Sequence, residues 1–222
     1  MSASIIPGSA GGYAERVARH VPGLSDMHRM TALLLQEQAP EDAHVLIVGA
    51  GGGLELKAIA DAKPEWRFTG VDPSTEMLDQ ARNTLSTAAD RVRFHQGYMD
   101  DAPYGPYDGA TCLLTLHFLE AEDRLRTLIE IRRRLKPGGV FVAAHHSFSK
   151  ERQDTWLARN VAFIGTSGIP SEQVAKNIEA MKSGLPVLSP AEDVELLRQA
   201  GFCDVELFYA AFTFKGWVCR KA

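Results

Sequence analysis

The sequence predicts an α/β protein: a mostly parallel, seven-stranded sheet with helices on both faces and a C-terminal antiparallel hairpin. Three observations carry that expectation. Short β-branched apolar runs alternate with segments of helical period between residues 44 and 144. A turn containing Gly49, Gly51 and Gly53 joins the first of these runs to the helix that follows it. At the far end, two β-rich segments at 203–209 and 211–219 lie so close that only a hairpin can connect them.

The 222 residues are read as one domain, 1–222. It divides into an N-terminal helical cap (1–40), a ligand-binding core (41–149), a helical insertion (150–188), and a closing helix and hairpin (189–222). In the cap, "VPG" separates helices at 12–21 and 25–39. Val45 to Val48 is β-branched and apolar, as a strand buried on both faces should be, and Leu54 to Ala62 has helical period. A second strand covers 66–71. Ser74 then caps a helix over 74–88 whose Met77, Leu78, Ala81 and Leu85 share one face. Further strands fall at 91–95, 109–114 and 139–144, the last after a helix at 121–135. In that helix Leu125, Leu128, Ile129 and Leu135 form the inner stripe, and Arg132, Arg133 and Arg134 are read as a solvated face. The insertion reads as helices at 150–163 and 171–183. Ser189 to Glu192 opens the closing helix with a capping box and Pro190 in its first turn, and Gly201 ends it.

Composition narrows the function classes. A net charge of −4 and the lack of a basic stripe predict no nucleic-acid partner. No apolar run approaches the roughly 18 residues of a membrane span, and the opening "MSASIIPGSAGG" lacks the charged start of a secretory leader. Cys112, Cys203 and Cys219 are odd in number and have no metal-ligand spacing; Cys112 and Cys219 read as small buried side chains. A cytoplasmic location follows. His145 and His146 are adjacent in a strand and point to opposite faces, so no metal site is expected. A homodimer stays open.

The glycine turn raises the question of ligand. Its glycines let a ligand approach the backbone, and Asp72 stands 23 positions after Gly49, at the carboxyl end of the second strand. A carboxylate there can accept both hydroxyls of a ribose lying across the strand edge. This spacing alone suits NAD and S-adenosylmethionine equally.

"LKPGGVFV", Leu135 to Val142, together with "VLIVGAGGG", "GVDPS", "YDGATCLLTLHFL" and "AGF", resembles the class I S-adenosylmethionine-dependent methyltransferases over residues 44–219. The resemblance implies a Rossmann-like fold, S-adenosyl-L-methionine as cofactor and methyl transfer as activity. It further implies that Gly49, Ala50 and Gly51 line the methionyl and ribose part, that Asp72 takes the ribose, and that Pro73 and Met77 flank the adenine. Gly97, Tyr98 and Met99 follow the third strand, where Tyr98 and Met99 are expected to sandwich the ring. Leu113, Leu114 and Thr115 are expected to border the sulfonium.

"VPGLSDMHRM", "TLHFLE" and "ELFYAAFTFKGWVCRKA" resemble, within that superfamily, the carboxy-S-adenosylmethionine synthase branch, which serves tRNA wobble-uridine modification. That branch holds the extra carboxylate of its cofactor with an arginine in the insertion. Ile178 or Glu179 stands there in this chain, with Lys176 and Lys182 the nearest cations, and neither residue replaces an arginine fork. Ile47 occupies a position where the superfamily commonly has an acid that orients the methionine amino group; Glu55 or backbone carbonyls would substitute.

A sulfonium methyl is already activated, so catalysis requires close approach and exclusion of water, with a base only for a protonated nucleophile. His117 and His145 are the candidate bases. The N-terminal helices and residues 150–188 are expected to close over the site, with Tyr13, Arg16, Trp156 and Phe163 near the acceptor. The leading expectation is methyl transfer to a small-molecule substrate. Its alternatives are carboxy-S-adenosylmethionine formation, an NAD-dependent oxidoreductase, and a noncatalytic cofactor-binding partner subunit. Gly49-x-Gly51-x-Gly53 departs from the G-x-G-x-x-G spacing of dinucleotide folds, which weighs against NAD.

Overall fold

The structure, a computed structural model, describes residues 12–165, 172, 176, 179, 181, 182 and 184–222, without the side chains of Tyr13 and Ala14. Its strands are β1 (His44–Val48), β2 (Arg67–Asp72), β3 (Val92–Gln96), β4 (Tyr107–Leu113), β5 (Leu135–His146), β6 (Phe202–Ala211) and β7 (Phe214–Lys221). They form one seven-stranded sheet in the order β3-β2-β1-β4-β5-β7-β6. The first five run parallel; β7 is antiparallel to both β5 and β6, as the short connection at residues 212–213 demands. The sheet therefore has the predicted class and the predicted closing hairpin.

The helices are α1 (Tyr13–His20), α2 (Leu24–Gln36), α3 (Leu54–Ala62), α4 (Thr75–Leu85), α5 (Ala121–Arg134), α6 (Gln153–Gly165) and α7 (Pro190–Gln199). Those of the first half cover one face, where Met27, Leu35, Leu56, Ile59 and Leu78 pack on Val45, Ile47 and Val142. Leu128, Ile131 and Leu197 cover the other face, against Leu46, Ala110 and Phe141. Ser74 caps α4 by accepting from Met77 N at 3.3 Å, and Ser189 with Glu192 forms the predicted capping box of α7. The Lys-Pro-Gly-Gly segment is taken into β5: Tyr107 pairs with Leu135 and Gly109 with Val140, so the turn is accommodated as an irregularity of the ladder. The expected helix at 171–183 lies largely outside the described residues, as does Ile178.

Two elements differ from expectation. Helix α4 stops at Leu85, and a 3₁₀ segment, Ser86–Arg91, leads into β3. The arginines closing α5 are not one solvated face. Arg134 is buried and donates through Nε and Nη2 to Ala102 O (3.3 and 2.9 Å) and through Nη1 to Glu130, while Arg132 Nε donates to Gly201 O at 2.8 Å. Only Arg133 points outward. A guanidinium satisfied by carbonyls is tolerated inside, and periodicity cannot reveal such partners.

The α1–α2 turn and the closing hairpin meet. The Tyr209 hydroxyl on β6 donates to Pro22 O in the α1–α2 turn. Gly53 (φ +79°) caps α3 where an added Cβ would lie 2.9 Å from Ala81 Cα of α4. Gly53→Ala is therefore expected to lose about 1–2 kcal/mol from the left-handed backbone alone, read as a lowered urea midpoint at unchanged m-value.

Candidate functional site

The order β2-β1-β4 reverses the direction of winding at β1, and the crevice between the carboxyl ends of β1 and β4 is where sheets of this kind take a ligand. The glycine turn forms one wall. Gly49 N and Ala50 N both donate to Val71 O (2.8 and 3.0 Å), Gly51 N donates to Asp72 Oδ2 (2.9 Å), and Gly53 N to Ala50 O (3.0 Å). Gly49 (φ +73°) brings β1 against β4 so closely that a Cβ would stand 2.0 Å from Thr115 Oγ1. The turn thus offers surface for close approach, while its amides are already used. A pyrophosphate needs free N–H groups there, and this turn holds few back.

Asp72 sits at the end of β2, nine-tenths buried. Its Oδ2 accepts from Gly51 N and its Oδ1 from Ser74 N, each at 2.9 Å. An ionised carboxylate accepts at about four sites, so capacity for two ribose hydroxyls remains. Ser74 fixes Asp72 from the α4 side and Gly51 from the turn, which aims the carboxylate without outside help. Pro73 is exposed and Met77 half-buried beside it. Gly97 N donates to Asp72 O at 3.1 Å and so brings the loop after β3 to the same edge.

That loop does not bring Tyr98 and Met99 together. Tyr98 is 59% exposed, and Met99 lies in the core with Val48, Val71 and Leu116. Neighbouring side chains point opposite ways here, so the expected sandwich is not formed; Tyr98 alone faces outward. At the end of β4, Leu113 is buried and Leu114 adopts φ +57°, its N–H donating to Ala144 O at 2.6 Å. A non-glycine residue in that region carries backbone strain, and here the strain sits at the crevice. Thr115 Oγ1 donates to Leu113 O at 3.1 Å.

The histidines separate as β-strand geometry requires. His145 is 2% exposed, its Nε2 3.1 Å from Asp193 Oδ1 and its ring 5.3 Å from that of Trp217. This packing replaces the expected role as base: the ring is enclosed by α7 and β7 and has no face toward a substrate. His146 points to the other side, stacked on Phe214, with Nδ1 3.0 Å from Thr213 Oγ1. Burial, then His145, His20 and Lys215, lower its pKa to about 3. His117 is buried 4.8 Å from the His146 ring, and burial followed by the charges of His146, His145 and Arg124 hold its pKa well below the usual value. Its Nδ1 accepts from His146 N at 3.4 Å, which leaves the proton of a neutral ring on Nε2. His117 is therefore a poor base and a better hydrogen-bond donor.

Around the expected acceptor space, α1 and α6 pack against each other. Trp156 lies between Arg159 and Lys215, and the Phe163 and Phe212 rings are 5.8 Å apart. Arg16 is half-buried on α1, and the side chain of Tyr13 lies outside the described residues. One feature went unread in the sequence. His28 lines a cavity of about 330 Å³ with Ala18, Gly23, Leu24, Ser25 and Leu54, and burial lowers its pKa to about 4. Its spacing with Leu24, Thr31 and Leu35 on one helical face was the available signal.

Residues 45–139 match the profile of the methyltransferase domain family. That stretch is similar to a methyltransferase domain. Two curated relatives, both carboxy-S-adenosyl-L-methionine synthases, are 24% (Campylobacter lari) and 27% (Chromohalobacter salexigens) identical to it. Each alignment covers 94% of this chain, and 90% and 80% of the relative. Human N-acetylserotonin methyltransferase, solved in complex with S-adenosylmethionine, superposes with a TM-score of 0.62 at 18% identity. That match covers 90% of this chain and 54% of the human one, so the chain spans about half the length of that protein and shares its fold.

The human neighbour was solved with S-adenosylmethionine, and the residues present here fit that molecule. The molecule has a ribose, which Asp72 can hold, and lacks phosphate, which the turn's engaged amides would serve poorly. It also carries cationic groups, and a buried carboxylate, Glu55, lies in the first turn of α3 with Oε1 unpartnered. No helix among the described residues is long and apolar enough to cross a membrane, and no group of three or more His, Cys, Asp or Glu among them could hold a metal.

Proposed function

We propose that this protein transfers a methyl group from S-adenosylmethionine to a small-molecule acceptor. When bound, the cofactor supplies an activated methyl on a sulfonium. Asp72 holds the ribose, Pro73, Met77 and Tyr98 border the adenine, and Gly49 to Gly51 admit the thioether region close to backbone. Leu113, Leu114 and Thr115 form the wall at the crevice, excluding water from the path of transfer. His117, with its proton on Nε2, orients an acceptor oxygen or nitrogen there, and the acceptor is one that needs no strong base from the protein.

The observation that carries this reading over carboxy-S-adenosylmethionine synthesis is the state of the two lysines that flank Ile178 and Glu179. Lys176 pairs with Glu172 at 2.9 Å, and Lys182 with Asp154 at 2.7 Å and Glu179 at 3.7 Å. Both lysines are committed to local carboxylates, and Ile178 and Glu179 offer no guanidinium. The second reading, carboxy-S-adenosylmethionine formation, is favoured by the near full-length alignment with proteins of that name.

Mass analysis of the cofactor retained on purified protein tests the two. S-adenosylmethionine or S-adenosylhomocysteine is the expected result, and a species heavier by one carboxylate would establish the second reading. The net charge of −4 also predicts no salt-sensitive binding to bulk tRNA. Micromolar retention on a filter that falls steeply with added salt would make the acceptor an RNA.

A further inference from the structure

The cavity beside His28 is lined almost wholly by the cap: Ala18 on α1, Gly23 in the turn, and Leu24, Ser25 and His28 on α2. The remaining lining residue, Leu54, directly follows Gly53 and starts α3. Ala18, Gly23 and Ser25 are exposed and form the mouth, while Leu24 and His28 are buried and form the floor. Leu24 lies in the same buried cluster as Leu113, and Leu54 and Leu114 pack against that cluster. The cavity is therefore on the same face of the sheet as the end of β4, beside the glycine turn.

The buried stripe of a helix is ordinarily apolar, and Leu24, Met27 and Leu35 keep to that rule. Thr31 on the same stripe is satisfied by Met27 O at 2.8 Å. His28 is different. Its ring is 6% exposed, and it forms no hydrogen bond with another described residue. A neutral imidazole has one N–H and one bare nitrogen, and burying them without partners costs free energy.

Nor does the cavity offer charge. No Asp, Glu, Lys or Arg is among its lining residues. Asp26 and Arg29, which flank His28 along α2, pair with each other at 3.1 Å on the exposed side of the helix. Burial lowers the His28 pKa to about 4, so the ring is uncharged at neutral pH. An ion entering here would lose its hydration and meet no counter-charge. A cavity of about 150 Å³ suffices for benzene, so one of about 330 Å³ has room for two fused rings.

We propose that this cavity holds the body of the methyl acceptor: an uncharged, mainly apolar molecule, up to the size of two fused rings, with a hydroxyl that hydrogen-bonds to the His28 ring. The inference rests on the methyl-transfer reading and names the acceptor class for the same site. A hydroxyl both donates and accepts, so it satisfies whichever ring nitrogen faces the cavity. Leu24 and Leu54 cover the apolar part, and the reacting oxygen or nitrogen stays at the crevice.

The test uses naphthol, naphthalene, naphthoate and naphthylmethylamine, all substituted at the same carbon, so that only the attached group differs. Binding to wild type, His28→Leu and Ala18→Leu is read by calorimetry and by the ring-nitrogen signals of isotope-labelled histidines. Naphthol is expected to bind most tightly and to move the His28 signals, which are recognised by their absence from His28→Leu. His28→Leu should weaken naphthol by about tenfold or more and change naphthalene by less than about threefold. Ala18→Leu, at the exposed mouth, should weaken both by about tenfold through crowding. Circular dichroism spectra of both variants should overlay on that of wild type. Naphthol should bind equally well to protein saturated with S-adenosylhomocysteine, because acceptor and cofactor must be held together.

Tightest binding of naphthoate or the amine, binding of none of the four, or unchanged naphthol affinity in His28→Leu overturns the ligand class. Displacement of naphthol by S-adenosylhomocysteine gives the cavity to the cofactor and overturns it as an acceptor site. If wild type binds naphthol through His28 yet binds no S-adenosylhomocysteine, the methyl-transfer reading fails. The acceptor role of the cavity then falls with it, while its preference for an uncharged hydroxyl compound stands.

Discussion

Asp72→Ala is expected to reduce affinity for S-adenosylhomocysteine by about 10- to 150-fold, the range for losing one hydrogen bond to a charged acceptor, or about 1.5–3 kcal/mol. The upper end is favoured because the carboxylate has two duties. In the proposed site it takes the ribose, and its oxygens hold Gly51 N and Ser74 N at 2.9 Å. Removal loosens the glycine turn and the entrance to α4 together. Asp72→Asn keeps one accepting oxygen and should fall between wild type and Ala. Isothermal titration at pH 7.5 gives the affinities, and circular dichroism shows whether the sheet survives. Affinity that is unchanged in Asp72→Ala would falsify the placement of the ribose at the end of β2.

The largest loss of stability is expected from Asp193→Ala, about 3–5 kcal/mol. Asp193 and Arg124 are both buried, with Arg124 Nη1 2.5 Å from Asp193 Oδ1 and His145 Nε2 3.1 Å from the same oxygen. Arg124 Nη2 also donates to Pro186 O at 3.0 Å, so the cluster joins α5, α7, β5 and the segment before α7. Without Asp193 a guanidinium is left inside with its charge unanswered. In a domain of this size each kcal/mol is worth roughly 2–4 °C, so Tm should drop by roughly 6–20 °C. Burial alone would raise the Asp193 pKa, but the neighbouring His145 and Arg124 hold it below the usual carboxylate range. The stabilisation is therefore present above the unfolded carboxyl pKa and is lost as pH falls through the lower folded value. Replacing both partners, Arg124→Met with Asp193→Leu, should recover much of the loss. A double variant no better than Asp193→Ala would show that packing, and not the stranded charge, sets the cost.

Much of the scaffold was legible because its signals are local. Ser74 and the Ser189–Glu192 box are caps read from neighbours within one turn, and the glycine turn announces itself by residue type. Alternating apolar runs sufficed for the sheet and its closing hairpin. What escaped depends on partners distant in sequence. Arg124 meets Asp193 across 69 residues, and Arg134 meets Ala102 across 32. An arginine on a helix reads as solvated until such a partner is known. Within the site, the place of Asp72 at the end of β2 was legible, but not its role as a brace for Gly51. Met99 was indistinguishable from an adenine contact, because a methionine after a strand serves core and pocket alike. His145 and His146 were correctly sent to opposite faces, yet only the packing of Asp193 and Trp217 shows that one of those faces is closed.

The sheet order β5-β7-β6 has a consequence for how the chain comes off the ribosome. Strand β6 is synthesised before β7, yet β7 is its only neighbour in the sheet and separates it from β5. Until Phe214–Lys221 have emerged, β6 has no neighbour to dock on and the outer edge of β5 stays bare. The tie from Tyr209 to Pro22 joins segments 187 residues apart, so the α1–α2 turn is fastened only once β6 has its place in the sheet. The glycine turn and its brace at Asp72 need only β1, β2 and the start of α4, and can form well before that.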